Sequence, residues 1–194
     1  MLGIVLCGGK SIRMGTDKGL LNHHGKPWAE IASDKLKKIG REVKFSINPH
    51  QKEKYINYFD EAHLIIDDPS LEINGPLLGV LSAHLKNPKA DLFLLACDLL
   101  LMETRVLNKV IEVRATHKFY EAIIFKKKDQ LEPLCGIYTA AALTKIMLWL
   151  QRGELHKHSM KFVLSKLEVL AIEIEQEDYR CFDNFNSHAE INGL

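Results

Sequence analysis

Short apolar runs alternate along the chain with longer stretches in which apolar residues recur every three or four positions, so strands and amphipathic helices follow one another. Gly3–Cys7 predicts a first strand and Gly8–Lys18 a loop; Trp28, Ile31, Ala32, Leu36 and Ile39 then keep helical spacing up to a stop at Gly40. Val43–Ile47 predicts a second strand, His50–Phe59 a short polar helix, and His63–Ile66 another apolar run. Gly75-Pro76 opens a helix whose Leu77, Leu78, Leu81 and Leu85 are expected on one face, ended by Asn87-Pro88. Asp91–Ala96 is continuously apolar, as a central parallel strand covered on both sides must be.

The second half continues the theme. Val106, Leu107, Val110, Ile111 and Val113 predict a helix; Tyr120–Phe125 and Leu131–Tyr138 predict two antiparallel strands around a polar turn at Lys126–Gln130. Thr139–Gln151 and Ser159–Leu167 read as helical, Glu168–Ile174 as an edge strand, and Ser187-x-x-Glu190 as a capping box. The pattern predicts an α/β fold: a three-layer sandwich with a Rossmann-like, mostly parallel sheet and helices on both faces.

Composition narrows the partners. A chain of 194 residues, 46% hydrophobic, with no Pro-, Ser- or Gly-rich linker, is expected to form a single domain over residues 1–194. Lys and Arg (26) nearly balance Asp and Glu (25), for a net charge of +1, which argues against nucleic acid as a ligand. Cys7, Cys97, Cys135 and Cys181 show no zinc spacing and read as free thiols, which places the chain in the cytoplasm. Met1–Cys7 is too short for a membrane span and lacks a basic flank before it; Leu92–Leu101 is interrupted by Asp98. No membrane partner is expected.

The chemistry concentrates after the first strand. In an open α/β sheet, ligands bind beyond the carboxyl ends of the strands. There, Gly8-Gly9 let backbone N–H groups approach a phosphate, and Lys10, Arg13 and Lys18 add positive charge within nine residues. Gly8, Gly9 and Gly15 fit neither GxGxxG nor GxxxxGK[ST], which demotes dinucleotide oxidoreductases and P-loop NTPases. The plainer alternative is a turn that needs glycine for its backbone angles, with solvated charges beside it.

Asp98 leaves a buried strand on the same sheet edge and could hold Mg²⁺ together with phosphate oxygens, or simply cap the next segment. Asp67 and Asp68 could add polar contacts, or form an ordinary Asp-Pro turn at Asp68-Pro69. His156-Lys157-His158, Lys126-Lys127-Lys128 and His23-His24 read as surface, and Trp149 as core.

Leu6–Lys18 resembles the LxGGxSxRMGxDK signature of the molybdenum cofactor guanylyltransferase family. Asn48, Gly75-Pro76-Leu77-Leu78-Gly79, Ala96-Cys97-Asp98, Glu132-Pro133-Leu134 and Asn184-Phe185-Asn186 extend the resemblance over nearly the whole chain, in the family's order. It implies a nucleotide-diphospho-sugar transferase type of fold and transfer of GMP from Mg·GTP to the molybdenum–molybdopterin cofactor, releasing pyrophosphate. It also implies that Leu6, Cys7, Gly8, Gly9, Lys18, Asn48, Asp68 and Asp98 bind nucleotide, with Asp98 the metal ligand, and that Asn184 and Asn186 lie on the pterin side. Arg13, Lys18 and Asp98 are the expected catalytic groups. The expected partners are GTP and molybdopterin, with other cofactor-biosynthesis proteins and acceptor molybdoenzymes beyond them, and the chain is expected to act as a monomer. Leu100 and His188 stand where the family usually has proline. A cytidylyltransferase using CTP and a non-catalytic nucleotide-binding accessory protein are the competing readings.

Overall fold

Strand β1 (Leu2–Leu6) is buried at all five positions because it runs through the middle of a seven-stranded sheet. In the computed structural model, which describes residues 1–8 and 17–185, the strands are β4 (Val43–Ile47), β5 (Leu64–Ile66), β6 (Leu92–Ala96), β7 (Ala122–Lys127), β8 (Gln130–Tyr138) and β9 (Val169–Glu173), in the order β5-β4-β1-β6-β8-β7-β9. A separate two-stranded ribbon, β2 (Asn22–His23) with β3 (Lys26–Pro27), follows the first loop. Around β1 the pairing is parallel, with Leu6 opposite Ser46 on one side and Ala96 on the other; β8 runs antiparallel to both β6 and β7, and β9 closes the edge parallel to β7.

Helices cover both faces. Residues of α1 (Trp28–Lys38) and α4 (Thr104–Thr116) share one apolar cluster with Val5, Phe45, Phe93 and Ile123. Those of α3 (Pro76–Lys86), α5 (Ala140–Gln151) and α6 (Met160–Leu164) share the other with Ile4, Leu94 and Ile124. Successive strand residues feed opposite clusters, the period-two rule of a sheet buried on both faces. The three-layer architecture is the one the pattern predicts.

Some details differ. The polar helix shortens to a 3-10 turn at Pro49–Gln51 and α2 (Lys52–Tyr55). Leu85 is 42% exposed, because it lies past the stripe on which Leu77 and Leu81 are buried. Trp149 is half-buried at the cluster's rim, where the ammonium of Lys145 lies 5.1 Å from its ring centroid, a solution open to an amphipathic aromatic. Strand pairing extends through Lys127 and resumes at Gln130, which leaves only Lys128 and Asp129 as the turn. Ser187 and Glu190 lie outside the described residues.

Gly136 marks where β8 is squeezed between β6 and β7, beside the register shift at Ile124/Phe125. A Cβ there would collide with the Ile123 carbonyl oxygen and lie 2.8 Å from Ile124 Cγ2, and neither can retreat without moving a central strand. Gly136→Ala is expected to lower stability by about 1–3 kcal/mol. The urea midpoint of unfolding should fall with the slope unchanged.

Candidate active site

Four consecutive parallel strands deliver their carboxyl ends to one edge. Cys7-Gly8 follows β1, Asn48 follows β4, Asp67-Asp68 follows β5, and Cys97-Asp98 follows β6. Leu6 and Cys7 are buried, and their backbone is engaged inside the protein: the Leu6 carbonyl accepts from the Cys97 N–H at 3.2 Å, and the Cys7 N–H donates to the Ser46 carbonyl at 3.0 Å. A Cβ on Gly8 would lie 3.5 Å from Asp67 Oδ2 and 3.9 Å from the Asn48 nitrogen, ordinary contact distances, so the β1 exit lies directly against the β4 and β5 ends. Gly79, in the first turns of α3, is tighter: a Cβ there would run into the Ser46 hydroxyl and lie 3.3 Å from Asp67 Oδ1. This is the physical need behind the glycine of Gly75-Pro76-Leu77-Leu78-Gly79.

A buried polar clasp joins these ends. The Gln51 side chain accepts from the Asn48 N–H at 2.8 Å and donates to the Cys7 carbonyl at 3.1 Å and to Asp17 Oδ2 at 2.6 Å. Asp17 Oδ1 accepts from the Tyr55 hydroxyl at 3.1 Å and from the Gly19 N–H at 3.0 Å. The exit of the glycine-rich loop is thereby tied to β1 and β4, and Lys18, the next residue, reaches Asp98 with Nζ 3.3 Å from Oδ2. Sequence reasoning overlooked Gln51, Tyr55 and Ser46. A signal existed for the first: Asn48-Pro49-His50-Gln51 has the spacing of a capping box, with the amide at the third position.

Two carboxylates at this edge are held away from their ordinary behaviour. Burial pushes Asp67 up to about 6, partly offset by a long hydrogen bond from Ser46 Oγ at 3.5 Å. Burial also raises Asp98, with the Lys18 ammonium pulling the other way. Asp68 differs: its carboxylate accepts from the Ser70 N–H at 3.0 Å at the start of the 3-10 turn Pro69–Leu71 and is held low by that bond, while its own N–H donates to Ser82 Oγ. Asp67 rather than Asp68 therefore presents its carboxylate to Gly8. Asn48 Oδ1 is buried with no hydrogen-bond partner, an acceptor left for a ligand's N–H.

Beyond Asp98 lies a cavity of about 330 Å³ between Ala96 and Leu99 of the β6 exit, Glu132 and Leu134 of β8, Lys161 of α6, and Asn184. Burial raises the Glu132 carboxyl here. Residues 183–185 are fastened to the β6 exit, the Phe185 N–H donating to the Asp98 carbonyl at 3.2 Å while its ring packs with Leu21, Trp28, Leu100 and Leu101. The structure thus brings Gly8, Lys18, Asn48, Asp98 and Asn184 to one sheet edge; Gly9, Arg13 and Asn186 lie outside the described residues. His156 and His158 are exposed, and no cluster of three or more metal-ligating side chains forms among the described residues. No helix among them is long and apolar enough to cross a membrane.

Residues 3–169 match the model of a family described as the MobA-like NTP transferase domain. A probable molybdenum cofactor guanylyltransferase of Flavobacterium johnsoniae is 29% identical over 98% of this chain and 94% of its own. A molybdenum cofactor guanylyltransferase of Campylobacter jejuni subsp. doylei is 30% identical over 96% and 91%. Among solved structures, molybdopterin-guanine dinucleotide biosynthesis protein A of Archaeoglobus fulgidus superposes with a TM-score of 0.76 at 21% identity, covering 100% of this chain and 96% of that one. A putative glucose-1-phosphate thymidylyltransferase of Bacillus anthracis shares the fold at a TM-score of 0.67 and 14% identity, over 100% and 93%.

The raised Asp67 has a thermodynamic signature. Its folded value of about 6 lies above the roughly 3.9 of an unfolded aspartate, so the folded state holds the extra proton between those values and stability falls as pH rises through that window. Asp67→Asn is expected to change little at pH 4 and to stabilise by on the order of 1 kcal/mol above pH 6, allowing for solvent screening. Chemical denaturation of both proteins across that range checks the sign.

Proposed function

This chain belongs to the MobA-like NTP transferase family, and from that membership we propose that it transfers GMP from Mg·GTP to the molybdenum–molybdopterin cofactor, giving molybdopterin guanine dinucleotide and pyrophosphate. The observation that carries the reading is the Lys18–Asp98 pair, 3.3 Å apart, set between the β1 exit at Gly8 and the cavity bounded by Glu132, Lys161 and Asn184. A transferase needs two adjoining compartments with the charge-handling groups at their boundary. The nucleotide takes the Gly8 side, where Asn48 and Asp67 offer acceptors suited to the N–H edge of guanine; Asp68 supports that wall through its backbone. The pterin takes the cavity, with Asn184 at its wall and Asn186 two residues on.

Nucleotidyl transfer asks the protein mainly to align two anions and to neutralise charge as it moves to the leaving oxygen. A terminal phosphate oxygen of the acceptor forms a bond to the α-phosphorus of GTP, and the bond from that phosphorus to the oxygen bridging to the β-phosphate breaks, freeing pyrophosphate. The acceptor phosphate is already ionised near neutral pH, so no side chain has to remove a proton. Lys18, with Arg13 from the loop, stabilises the departing pyrophosphate, while loop N–H groups from Gly9 onward hold the triphosphate, the Gly8 N–H being engaged by the Ser46 carbonyl at 3.2 Å. Asp98 fits a divalent cation: it is a hard oxygen donor that already faces a cation, with phosphate oxygens and water available to complete the shell. Magnesium held there supplies Lewis-acid polarisation of the α-phosphate. The four thiols are free and buried, which supports a reducing, cytoplasmic setting; a single domain acting as a monomer is part of the same proposal. Other cofactor-biosynthesis proteins and acceptor molybdoenzymes follow as its partners.

Pyrophosphate release measured with GTP or CTP, Mg²⁺ and molybdopterin tests the proposal. The expected result is GTP-dependent turnover that Asp98→Ala abolishes with the fold retained, and a Lys18→Ala variant with triphosphate binding weakened by about tenfold or more. Turnover with CTP alone rejects the base assignment. Tight GTP binding without product points to an accessory role, and full activity in Asp98→Ala overturns the metal assignment.

A further inference from the structure

The turn after β6 carries Asp98 but has little regular structure of its own. Its internal hydrogen bonds are from the Leu99 N–H to the Ala96 carbonyl and from the Met102 N–H to the Leu99 carbonyl, and residues 97–102 contain no proline to restrict the backbone. A carboxylate that must meet a metal ion with sub-ångström accuracy needs a stiffer mount than that. The mount comes from α1. Lys35, on the helix side of the sheet, reaches up with Nζ to donate to the Leu99 carbonyl at 3.2 Å and, by a short bond, to the Leu100 carbonyl.

We propose, resting on the nucleotidyl-transfer reading above, that Lys35 is a positioning residue whose ammonium clamps the Leu99 and Leu100 carbonyls and so aims Asp98 at the metal and nucleotide. Its surroundings explain why the clamp is worth keeping. The ammonium has no ion pair among the described residues, and a largely desolvated cation satisfied only by carbonyls is a poor way to gain stability. An apolar residue of similar length would pack there at lower cost, so what the charge contributes is geometry. Burial draws Lys35 down to about 8, with Lys38 on its own helix lowering it further; the nearby thiols of Cys135 on β8 and Cys181 are themselves raised by burial, stay protonated where Lys35 titrates and so add no charge. The clamp is therefore charge-assisted below about pH 8 and weakens above it, where the neutral amine donates less strongly to the same carbonyls.

Hydrogen-exchange mass spectrometry on the wild type and Lys35→Met reads the clamp directly. The expected result is exchange at least about tenfold faster in peptides covering residues 97–102 of the variant, with β6 unchanged. Manganese, used as an EPR probe in the presence of GTP, should bind the variant about tenfold more weakly, the effect typical of losing a group that orients a metal ligand, while GTP affinity without metal stays the same. Lys35→Arg keeps its charge above pH 8 and should remove the alkaline loss of Mn²⁺ affinity that the wild type shows. Unchanged exchange and unchanged Mn²⁺ affinity in a folded Lys35→Met overturn the proposal. If that variant does not fold, the wild type decides: protection at 97–102, corrected for intrinsic exchange, falls between about pH 7 and pH 9 if the ammonium is the clamp, and constancy overturns it. Faster exchange in the variant beside a wild type that never turns over GTP sinks the functional reading and leaves the clamp standing.

Discussion

Parallel pairing of β1 between β4 and β6 is the constraint on which the rest depends. Parallel strands in register end together, so Leu6, with Ser46 and Ala96 beside it, places Gly8, Asn48 and Asp98 on one edge although ninety residues separate the first from the last. Nothing local holds Gly8 near Asp98. The strands can lie that way only because both of their faces are buried, by α1 and α4 on one side and α3, α5 and α6 on the other. β8, running the opposite way, brings the start of its own length, Glu132 to Leu134, to the same edge and walls the cavity beyond Asp98.

On that edge, hydrogen bonds do what packing cannot. Gln51 bonds to Asn48, Cys7 and Asp17 together, which ties Asp17 to the β1 and β4 exits. A network of this kind, buried and fully satisfied, is rigid because any shift leaves a polar atom without a partner. Lys18 inherits that rigidity from Asp17, its neighbour in the chain. Asp98 is braced differently, by Lys35 from beneath and by the Phe185 amide from the C-terminal side, so the two halves of the ion pair are positioned by independent supports.

The electrostatics of the edge suit an anionic, metal-bearing ligand. Asp67 and Asp98 are both raised by burial, which means that each gains when a cation or a hydrogen-bond donor arrives. Lys18 supplies one such charge to Asp98.

Much of this molecule was legible in one dimension. The alternation of apolar periods determined the strands and helices and the three-layer arrangement, because burial on two faces forces continuous apolar strands and burial on one forces striped helices. That Gly8 and the strand-end Asp98 share one sheet edge was legible too, since neighbouring parallel strands end together. The resemblance to guanylyltransferases told what the edge is for. What remained for tertiary structure were contacts between residues with no periodic or spacing signal: Gln51 reaching Cys7 and Asp17, Lys35 reaching the carbonyls past Asp98, and Asp67 rather than Asp68 turning toward Gly8. Each depends on where a side chain ends up after helices dock, and two adjacent aspartates are indistinguishable until a turn assigns one to its own backbone and the other to the site. Chain periodicity reports which face of an element is dry; only the packed molecule decides which polar groups meet across it.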